Sequence, residues 1–206
     1  MFCSLAQAAR HDATTVRRDL DLPSRYILFV GRLVQEKGIF ELLRAYATLD
    51  QTLRKQIGLV LVGDGPCRAE LQKQASAVTE GEISFPGFVQ REQLPAYYAL
   101  AEMFVLPTYT DTWGLVVNEA MACGLPVIVS RVAGCASDLI RENWNGLLID
   151  PKDISSLNSA MANLATRVDL CASMGAHARQ HIARYSPGAW SVAIAGALKV
   201  ITGTHD

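Results

Sequence analysis

The strongest constraint on the fold is a series of short, wholly apolar segments that end at glycine or proline and alternate with segments of helical spacing. The three clearest run through Tyr26–Val30, Gly58–Val62 and Met103–Leu106. Strands that are apolar throughout are buried on both faces, which is typical of a parallel sheet covered by helices on each side. The alternation of strand and helix therefore favours the α/β class.

Extending this pattern along the chain predicts a Rossmann-like, doubly wound parallel sheet with helices on both faces over residues 25–186. We expect residues 1–24 to be a linker or N-terminal extension with a short helix near 13–20, and residues 187–206 to hold a C-terminal helix. The remaining predicted strands are 83–85, 126–129 and 146–149, and the predicted helices are 39–49, 66–78, 92–100, 115–123, 137–141, 154–166, 169–184 and 188–201.

The composition is that of one globular domain with enough apolar material for a core. Half of the 206 residues are hydrophobic, and the chain has 19 basic and 20 acidic residues. This balance argues against broad binding to nucleic acid or to an anionic membrane.

Apolar runs stay below the ~18 residues of a membrane span, so we expect neither a transmembrane segment nor a signal peptide. Five scattered cysteines favour reduced thiols and a cytoplasmic location.

The first loop at the carboxyl edge of the sheet, residues 31–38, carries two cations beside a helix N-terminus. In doubly wound folds, ligands bind at this edge. Free N–H groups and the positive end of the helix dipole favour a phosphate there. Arg32 could grip phosphate oxygens in a bidentate manner, and Lys37 could add a point charge. A solvated loop with two surface charges is an equally good interpretation of this spacing.

The second polar segment, residues 111–124, also follows a strand and begins a helix. Glu119 shares a helix face with apolar residues, where a carboxylate is costly unless it is paired. A ribose diol is a suitable partner because a carboxylate accepts two hydroxyl hydrogen bonds. Gly114 would let a ligand approach the backbone. The alternatives are a helix cap for Asp111 and a structural salt bridge for Glu119.

A third glycine-rich turn, Gly63-Asp64-Gly65, does not complete a dinucleotide-binding fingerprint. Arg68 stands where the third glycine of G-x-G-x-x-G belongs, and no acidic residue ends the next strand. The chain also lacks a Tyr-x-x-x-Lys pair. Both observations argue against an NAD-dependent epimerase or dehydrogenase. His177 and His181 have the i,i+4 spacing of a metal clip, but without a third ligand nearby a plain surface pair is favoured.

Taken in order, these segments resemble the family 4 glycosyltransferases, also called glycosyl transferases group 1, of the GT-B fold. The resemblance covers about residues 25–200. Its single pieces are unspecific, whereas the ordered set is highly specific. The matching pieces are Gly31-Arg32-Leu33 with Lys37-Gly38, Val62 to Pro66, Gly87-Phe88-Val89, Trp113 to Val127, and Asn145 to Leu148.

The resemblance implies a role for each candidate residue. Arg32 and Lys37 look like the pair that neutralises the donor diphosphate, beside Gly31. Asp111 and Glu119 occupy the E-x7-E positions, where the first acid contacts the transferred sugar and the second holds the ribose. The amides of Leu115 and Val116 after Gly114 look like phosphate donors, and the backbone at Val89 looks like the edge that reads the base. The donor, with UDP or GDP as its nucleotide, is a substrate, so we expect no cofactor and no metal site.

Three departures from the family pattern qualify this expectation. Asp111 stands where the family usually has Glu, and Cys135 stands where a second glycine is common. The enzymes of the family have two Rossmann-like domains, and this sequence resembles only the second. We therefore expect the donor-binding half of a retaining hexosyltransferase, inactive without an acceptor-binding domain or partner chain that the C-terminal helix would contact. Peripheral membrane association of the full enzyme stays open, and the alternative is a non-catalytic nucleotide-sugar-binding or protein-interaction module.

Overall fold

A single parallel sheet forms the centre of the molecule, which a computed structural model describes over residues 2–202. Its strands are β1 (Tyr26–Val30), β2 (Gly58–Val62), β3 (Ile83–Gly87), β4 (Met103–Leu106), β5 (Val127–Ser130) and β6 (Gly146–Ile149). They are ordered β3-β2-β1-β4-β5-β6, and neighbouring strands are parallel. This arrangement confirms the predicted Rossmann-like fold. The order reverses between β1 and β4, which places the ligand crevice of such a sheet at their carboxyl ends.

Helices connect the strands and cover the sheet. They are α1 (Phe2–His11), α2 (Ala13–Asp19), α3 (Ile39–Ala47), α4 (Gln51–Arg54), α5 (Arg68–Ala75), α6 (Leu94–Leu100), α7 (Leu115–Ala122), α8 (Ala136–Leu139), α9 (Ile154–Thr166), α10 (Val168–Ile182) and α11 (Pro187–Thr202), with 3-10 turns at Gln35–Lys37 and Ala183–Tyr185. One group of touching helices comprises α3, α5 and α9, and another comprises α1, α6, α7 and α10. Every residue of β1, β2, β4 and β5 is buried, as their apolar sequences predict.

Some helices are shorter than their apolar spacing predicts, because polar groups at their ends bond to the backbone. The helix predicted from Pro66 begins at Arg68, since Cys67 donates its N–H to the carbonyl of Leu33 at 3.1 Å and thereby belongs to the preceding turn. The helix predicted to reach Leu49 ends at Ala47. There the hydroxyl of Thr48 bonds back to carbonyls of the last turn, a contact that competes with helix extension.

The N-terminal extension contains the short helix predicted near residues 13–20, as α2, and a further helix, α1, that the sequence did not predict. Helix α1 packs along α6 and buries Ala6 and Ala9. Arg10 then donates from Nε to the carbonyl of Ala99 at 3.1 Å and from a terminal nitrogen to the carbonyl of Cys123. These two carbonyls lie at the C-terminal ends of α6 and α7, so one side chain links both helices.

The C-terminal helix has the opposite character. In α11, the side chains of Trp190, Val192, Ile194 and Leu198 are all more than half exposed. These described side chains therefore form apolar surface that the rest of the domain leaves exposed. Within residues 2–202, no helix combines the length and the apolar character needed to cross a bilayer.

The two histidines of α10 contact other parts of the structure. The sequence predicted a plain surface pair, which is wrong for one of the two. His181 is buried, and its Nε2 lies 3.3 Å from the carbonyl oxygen of Asp138. The ring of His177 stacks on Trp144 with 4.7 Å between centroids. Together they join α10 to the segment that leads into β6.

Candidate functional site

Two adjoining cavities open at the carboxyl edge of the sheet, on either side of the end of β1. The first, of about 210 Å³, is called here the Val89 cavity, and its lining includes Gly31, Arg32, Asp64, Phe88, Val89 and Leu94. The second, of about 260 Å³, is called the Asp111 cavity, and its lining includes Gly31, Lys37, Asp111, Gly114, Leu115 and Val116. Val30 and Gly31 line both cavities, so the two adjoin at the end of β1, where the strand order reverses.

An ion pair lies on the wall of the Asp111 cavity. The Nζ of Lys37 is 2.5 Å from Oδ2 of Asp111. The other carboxylate oxygen of Asp111 accepts the backbone N–H of Trp113 at 3.1 Å. Only 22% of the Lys37 side chain and 16% of the Asp111 side chain are exposed, so solvent screens this pair less than a surface pair. The sequence suggested both residues separately but not that they bind each other.

Backbone contacts hold the two loops that carry this ion pair. The carbonyl of Glu36 accepts the hydroxyl of Thr108 at 2.9 Å and the N–H of Tyr109 at 2.8 Å. Gly38 adopts φ +66°, and a Cβ there would lie 2.0 Å from the carbonyl oxygen of Pro107. The close approach of the loop after β1 to the loop after β4 therefore requires glycine. Thr108, which the sequence did not mark as a site residue, is fully buried among these contacts.

Helix α7 begins at the floor of the Asp111 cavity with Gly114 as its N-cap. The N–H groups of the first turn, those of Leu115 and Val116, have no carbonyl one turn earlier in the helix. Asp111 is not the N-cap, so the capping alternative for this residue is wrong. Gly114 has φ +94°, and a Cβ there would lie 3.2 Å from Leu106. Its backbone conformation therefore explains this glycine, whereas the sequence suggested room for a ligand.

Glu119 lies one turn further along α7, and its partner is a buried phenol. The hydroxyl of Tyr98 on α6 donates to Oε2 of Glu119 at 3.1 Å. Burial raises the pKa of Glu119, while the hydrogen bond from Tyr98 and the charge of Arg91 lower it by less. The salt bridges of the described residues do not include Glu119. The alternative of a structural salt bridge is therefore not what the structure contains.

The predicted site residues divide between the cavities. Gly31, Arg32 and Val89 line the Val89 cavity, and Gly31 also lines the Asp111 cavity with the remaining residues named above. Among the predicted site residues, all of which the structure describes, only Glu119 lines neither. Its neighbours explain its position: Leu94, one turn before Tyr98, lines one cavity, and Leu115, one turn before Glu119, lines the other. Tyr98 and Glu119 thus each lie one helical turn beyond a residue that lines one of the two cavities.

Cys135 occupies an ordinary helical backbone conformation, so it does not need to be glycine. Its φ is −79°, its side chain is buried, and its N–H donates to the carbonyl of Trp113 at 2.9 Å. Burial raises the pKa of its thiol to about 12, so this thiol stays neutral. It therefore helps to fix the turn before α7 as a small buried side chain.

The described residues contain no cluster of three or more His, Cys, Asp or Glu side chains suited to a metal ion. An Asp-x-Asp triplet does occur, at Asp19-Leu20-Asp21. It ends α2 before β1 begins, on the side of the sheet away from the cleft.

Comparison with known proteins identifies the family. The family model described as "Glycosyl transferases group 1" matches residues 13–181. The chain belongs to this family. A D-inositol 3-phosphate glycosyltransferase of Corynebacterium jeikeium is 36% identical over 179 residues, which cover 82% of this chain and 42% of the relative. This glycosyl transferase group 1 chain thus spans less than half the length of that curated relative.

Solved structures share the fold of this group 1 domain. HepE of Anabaena, solved in complex with UDP, superposes with a TM-score of 0.79 at 24% identity, covering 92% of this chain and 53% of HepE. The C-terminal domain of a glycosyl transferase group 1 family protein from Francisella tularensis gives a TM-score of 0.72 at 22% identity, covering 84% of this chain and 92% of that domain. Such likenesses establish the GT-B domain fold, and the Francisella domain is matched along nearly its whole length.

Proposed function

We propose that this chain is the donor-binding half of a retaining glycosyltransferase, which holds a nucleoside-diphosphate sugar in the cleft formed by the Val89 and Asp111 cavities. In the two-domain enzyme, a hexose would pass from this donor to an acceptor hydroxyl. The observation that carries the proposal is the arrangement at the carboxyl ends of β1 and β4. There Arg32, Lys37 and the Asp111 carboxylate line two adjoining cavities, and α7 begins beside them.

The Asp111 cavity has the charges that a departing diphosphate needs. Its wall carries Lys37, and its floor carries the free N–H groups at the start of α7. Arg32 lies exposed at the rim of the neighbouring cavity, where it can turn toward the same phosphates. Fixed positive groups of this kind stabilise the negative charge that develops on the leaving group. Asp111 would then face the sugar, because it lies on the same cavity wall and is already neutralised by Lys37.

The Val89 cavity suits the nucleoside. Its lining is mainly apolar, with Phe88 exposed at its mouth and the backbone of Val89 beside it. A planar base can occupy such a cavity and bond to the backbone at Val89. The ribose would then lie toward Glu119, whose carboxylate can accept both hydroxyls of a diol. Donor binding in this position leaves the acceptor to a second domain, which agrees with the roughly twofold greater length of the D-inositol 3-phosphate glycosyltransferase relative.

Isothermal titration with UDP, GDP, ADP and NAD tests this proposal. We expect one nucleoside diphosphate to bind the unmodified chain, and Arg32→Ala and Glu119→Ala each to weaken it about tenfold, the effect of losing a charged hydrogen bond. Two matched controls are Arg18→Ala and Glu82→Ala, which remove exposed residues located before β1 and β3. These controls should bind as the unmodified chain does.

The titration also separates the competing functions. Absence of binding by all four nucleotides at millimolar concentration, about 4 kcal/mol of affinity, would refute the proposal and favour an interaction module. Binding of NAD in preference to the diphosphates would favour an epimerase or dehydrogenase instead.

A further inference from the structure

Two helices that meet behind the cleft carry a contact that the proposed function does not yet use. Tyr98 is fully buried on α6, and its hydroxyl reaches Oε2 of Glu119 on α7 at 3.1 Å. A buried tyrosine hydroxyl requires a hydrogen-bond partner, and here that partner is a carboxylate. We propose that Tyr98 is a positioning residue for donor binding, because its hydroxyl fixes the orientation of Glu119 toward the ribose diol. This inference rests on the proposed function.

The surroundings of Tyr98 leave its hydroxyl little freedom. Its ring packs between Phe2 of α1 and Phe104 of β4, with centroid separations of 6.1 Å and 5.8 Å. Burial and the negative charge of Glu119 raise the pKa of Tyr98 well above its usual value. The phenol therefore stays protonated and acts only as a donor toward the carboxylate. Because the ring is held in place and its hydroxyl can only donate, the hydrogen bond from Tyr98 determines the position of Oε2 of Glu119.

The same contact leaves the other carboxylate oxygen available. Within the described residues, the side chain of Glu119 accepts one hydrogen bond, from Tyr98 to Oε2. A carboxylate has about four acceptor positions on its two oxygens, so a single phenol leaves room for both hydroxyls of a ribose. Charge-assisted hydrogen bonds of this type depend strongly on geometry. Removing the phenol would free the Glu119 side chain to rotate and would cost affinity only through the diol.

Among the charged groups near α7, one acts on Glu119 and two others lie at the opposite end of the helix. Arg91, in the turn before α6, is the cation that acts on Glu119. The helices packed against α7 contribute Arg10 of α1, which bonds to Cys123, and Arg179 of α10, which lies beside Gly124. Both of these lie at the far end of α7. Strands β4 and β5, which also touch α7, carry no ionisable side chain.

The test compares UDP with 2′,3′-dideoxy-UDP on Tyr98→Phe, a change that removes one oxygen and keeps the ring. We expect the affinity for UDP to fall roughly fivefold to tenfold, the usual effect of one hydrogen bond, and the affinity for the dideoxy analogue to stay the same. The matched control is Tyr46→Phe, which removes another buried hydroxyl, bonded to the carbonyl of Ile57 at 2.8 Å. It should change neither affinity. Equal losses for both ligands in Tyr98→Phe, or no loss for either, would overturn the inference.

A second measurement keeps this inference separable from the proposed function. If the unmodified chain bound neither UDP nor GDP, the proposed function would fail, while the link between Tyr98 and Glu119 could still be measured by NMR titration of the Glu119 carboxyl carbon. The hydrogen bond from Tyr98 lowers the pKa of Glu119, so Tyr98→Phe should raise it. An unchanged pKa in Tyr98→Phe would show that the phenol does not control this carboxylate.

Discussion

The two ends of the segment from Asp111 to Glu119 carry the same charge in opposite surroundings. At one end, the Asp111 carboxylate lies against Lys37 at 2.5 Å in a polar loop. At the other, the Glu119 carboxylate is held by the neutral hydroxyl of Tyr98, and burial raises its pKa. One carboxylate is therefore paired directly with a cation, whereas the other bonds to a neutral hydroxyl and feels the charge of Arg91 without a salt bridge to it.

This difference suggests which part of a donor each end can hold. A carboxylate neutralised by a cation can lie near a diphosphate without repelling it. A half-buried carboxylate without a salt bridge gains most from neutral hydroxyl groups, which satisfy its oxygens and add no charge. The Asp111 end thus suits the phosphate and sugar, and the Glu119 end suits the ribose.

Removing the cation at the Asp111 end should have the largest effect. In Lys37→Ala, the cleft loses a positive charge and exposes the uncompensated charge of Asp111. We expect UDP affinity to fall about 100-fold, or about 2.7 kcal/mol, as for loss of one partner of a charge pair at a binding site. Isothermal titration measures this loss. The matched control is Lys55→Ala, which removes an exposed lysine paired with Glu80.

The double variant Lys37→Ala/Asp111→Ala separates two explanations of that loss. If much of it comes from the exposed Asp111 carboxylate, the double variant should bind UDP more tightly than Lys37→Ala alone. Equal affinity of the two variants would show that Lys37 acts on the phosphates directly. Unchanged binding in Lys37→Ala itself would contradict the comparison between the two ends.

Protonation of Glu119 should weaken binding of the ribose diol. This loss should begin at a higher pH than for a glutamate with an ordinary pKa. Diol binding needs the charged form of Glu119, which is complete above its pKa and is lost as the pH falls through it. Because burial raises this pKa from 4.5, the loss begins at a higher pH. UDP and 2′,3′-dideoxy-UDP carry the same diphosphate, so titration of the phosphates cancels in the ratio of their affinities. We expect this ratio to fall about tenfold on acidification.

Glu119→Gln provides the control for this pH dependence, because the amide has the same shape and does not titrate. Its affinity ratio should be low and independent of pH. A ratio that falls equally in the variant and in the unmodified chain would assign the titration to another group.

The sequence predicted the fold well because strands buried on both faces are apolar throughout, a pattern that can be seen directly in the sequence. It also placed Arg32, Lys37 and Asp111 in loops at the carboxyl edge, and Glu119 in the helix that begins there. The partners of these residues were not predictable in the same way. Thr108 and Tyr98 lie within apolar stretches, and their contacts join residues that are 72 and 21 positions apart.

The helix at the N-terminus was missed for a related reason. Residues 1–24 are polar and mixed in sequence, and the small side chains of Ala6 and Ala9 give little apolar signal. Their burial depends on α6, a partner more than 80 residues away. Packing of small residues against a distant helix is decided by tertiary structure and leaves a weak local pattern.

The link that α1 makes behind the Glu119 end should have a moderate effect. Arg10→Ala removes hydrogen bonds to Ala99 and Cys123 at the ends of α6 and α7. We expect a loss of about 1–2 kcal/mol in unfolding free energy, which lowers the Tm by about 3–6 °C. UDP affinity should fall about threefold because the spacing of α6 and α7 sets the Tyr98–Glu119 contact.

Thermal unfolding and titration of Arg10→Ala are compared with Arg18→Ala, which removes an exposed arginine of α2 paired with its neighbour Asp19. The control should leave both quantities unchanged. A lower Tm with unchanged UDP affinity would mean that the link stabilises the fold without reaching the Glu119 end.

Lengthening the acid at the other end should have the smallest effect on nucleotide binding. In Asp111→Glu, the flexible side chain of Lys37 can follow the displaced carboxylate, so UDP affinity should stay within about twofold. If the Asp111 end faces the sugar, the added methylene should instead change the ratio of the affinities for UDP-glucose and UDP by about threefold or more. Titration with both ligands measures this ratio. A large change in UDP affinity with a constant ratio would place Asp111 at the phosphates, and the two ends would then no longer divide the donor between them.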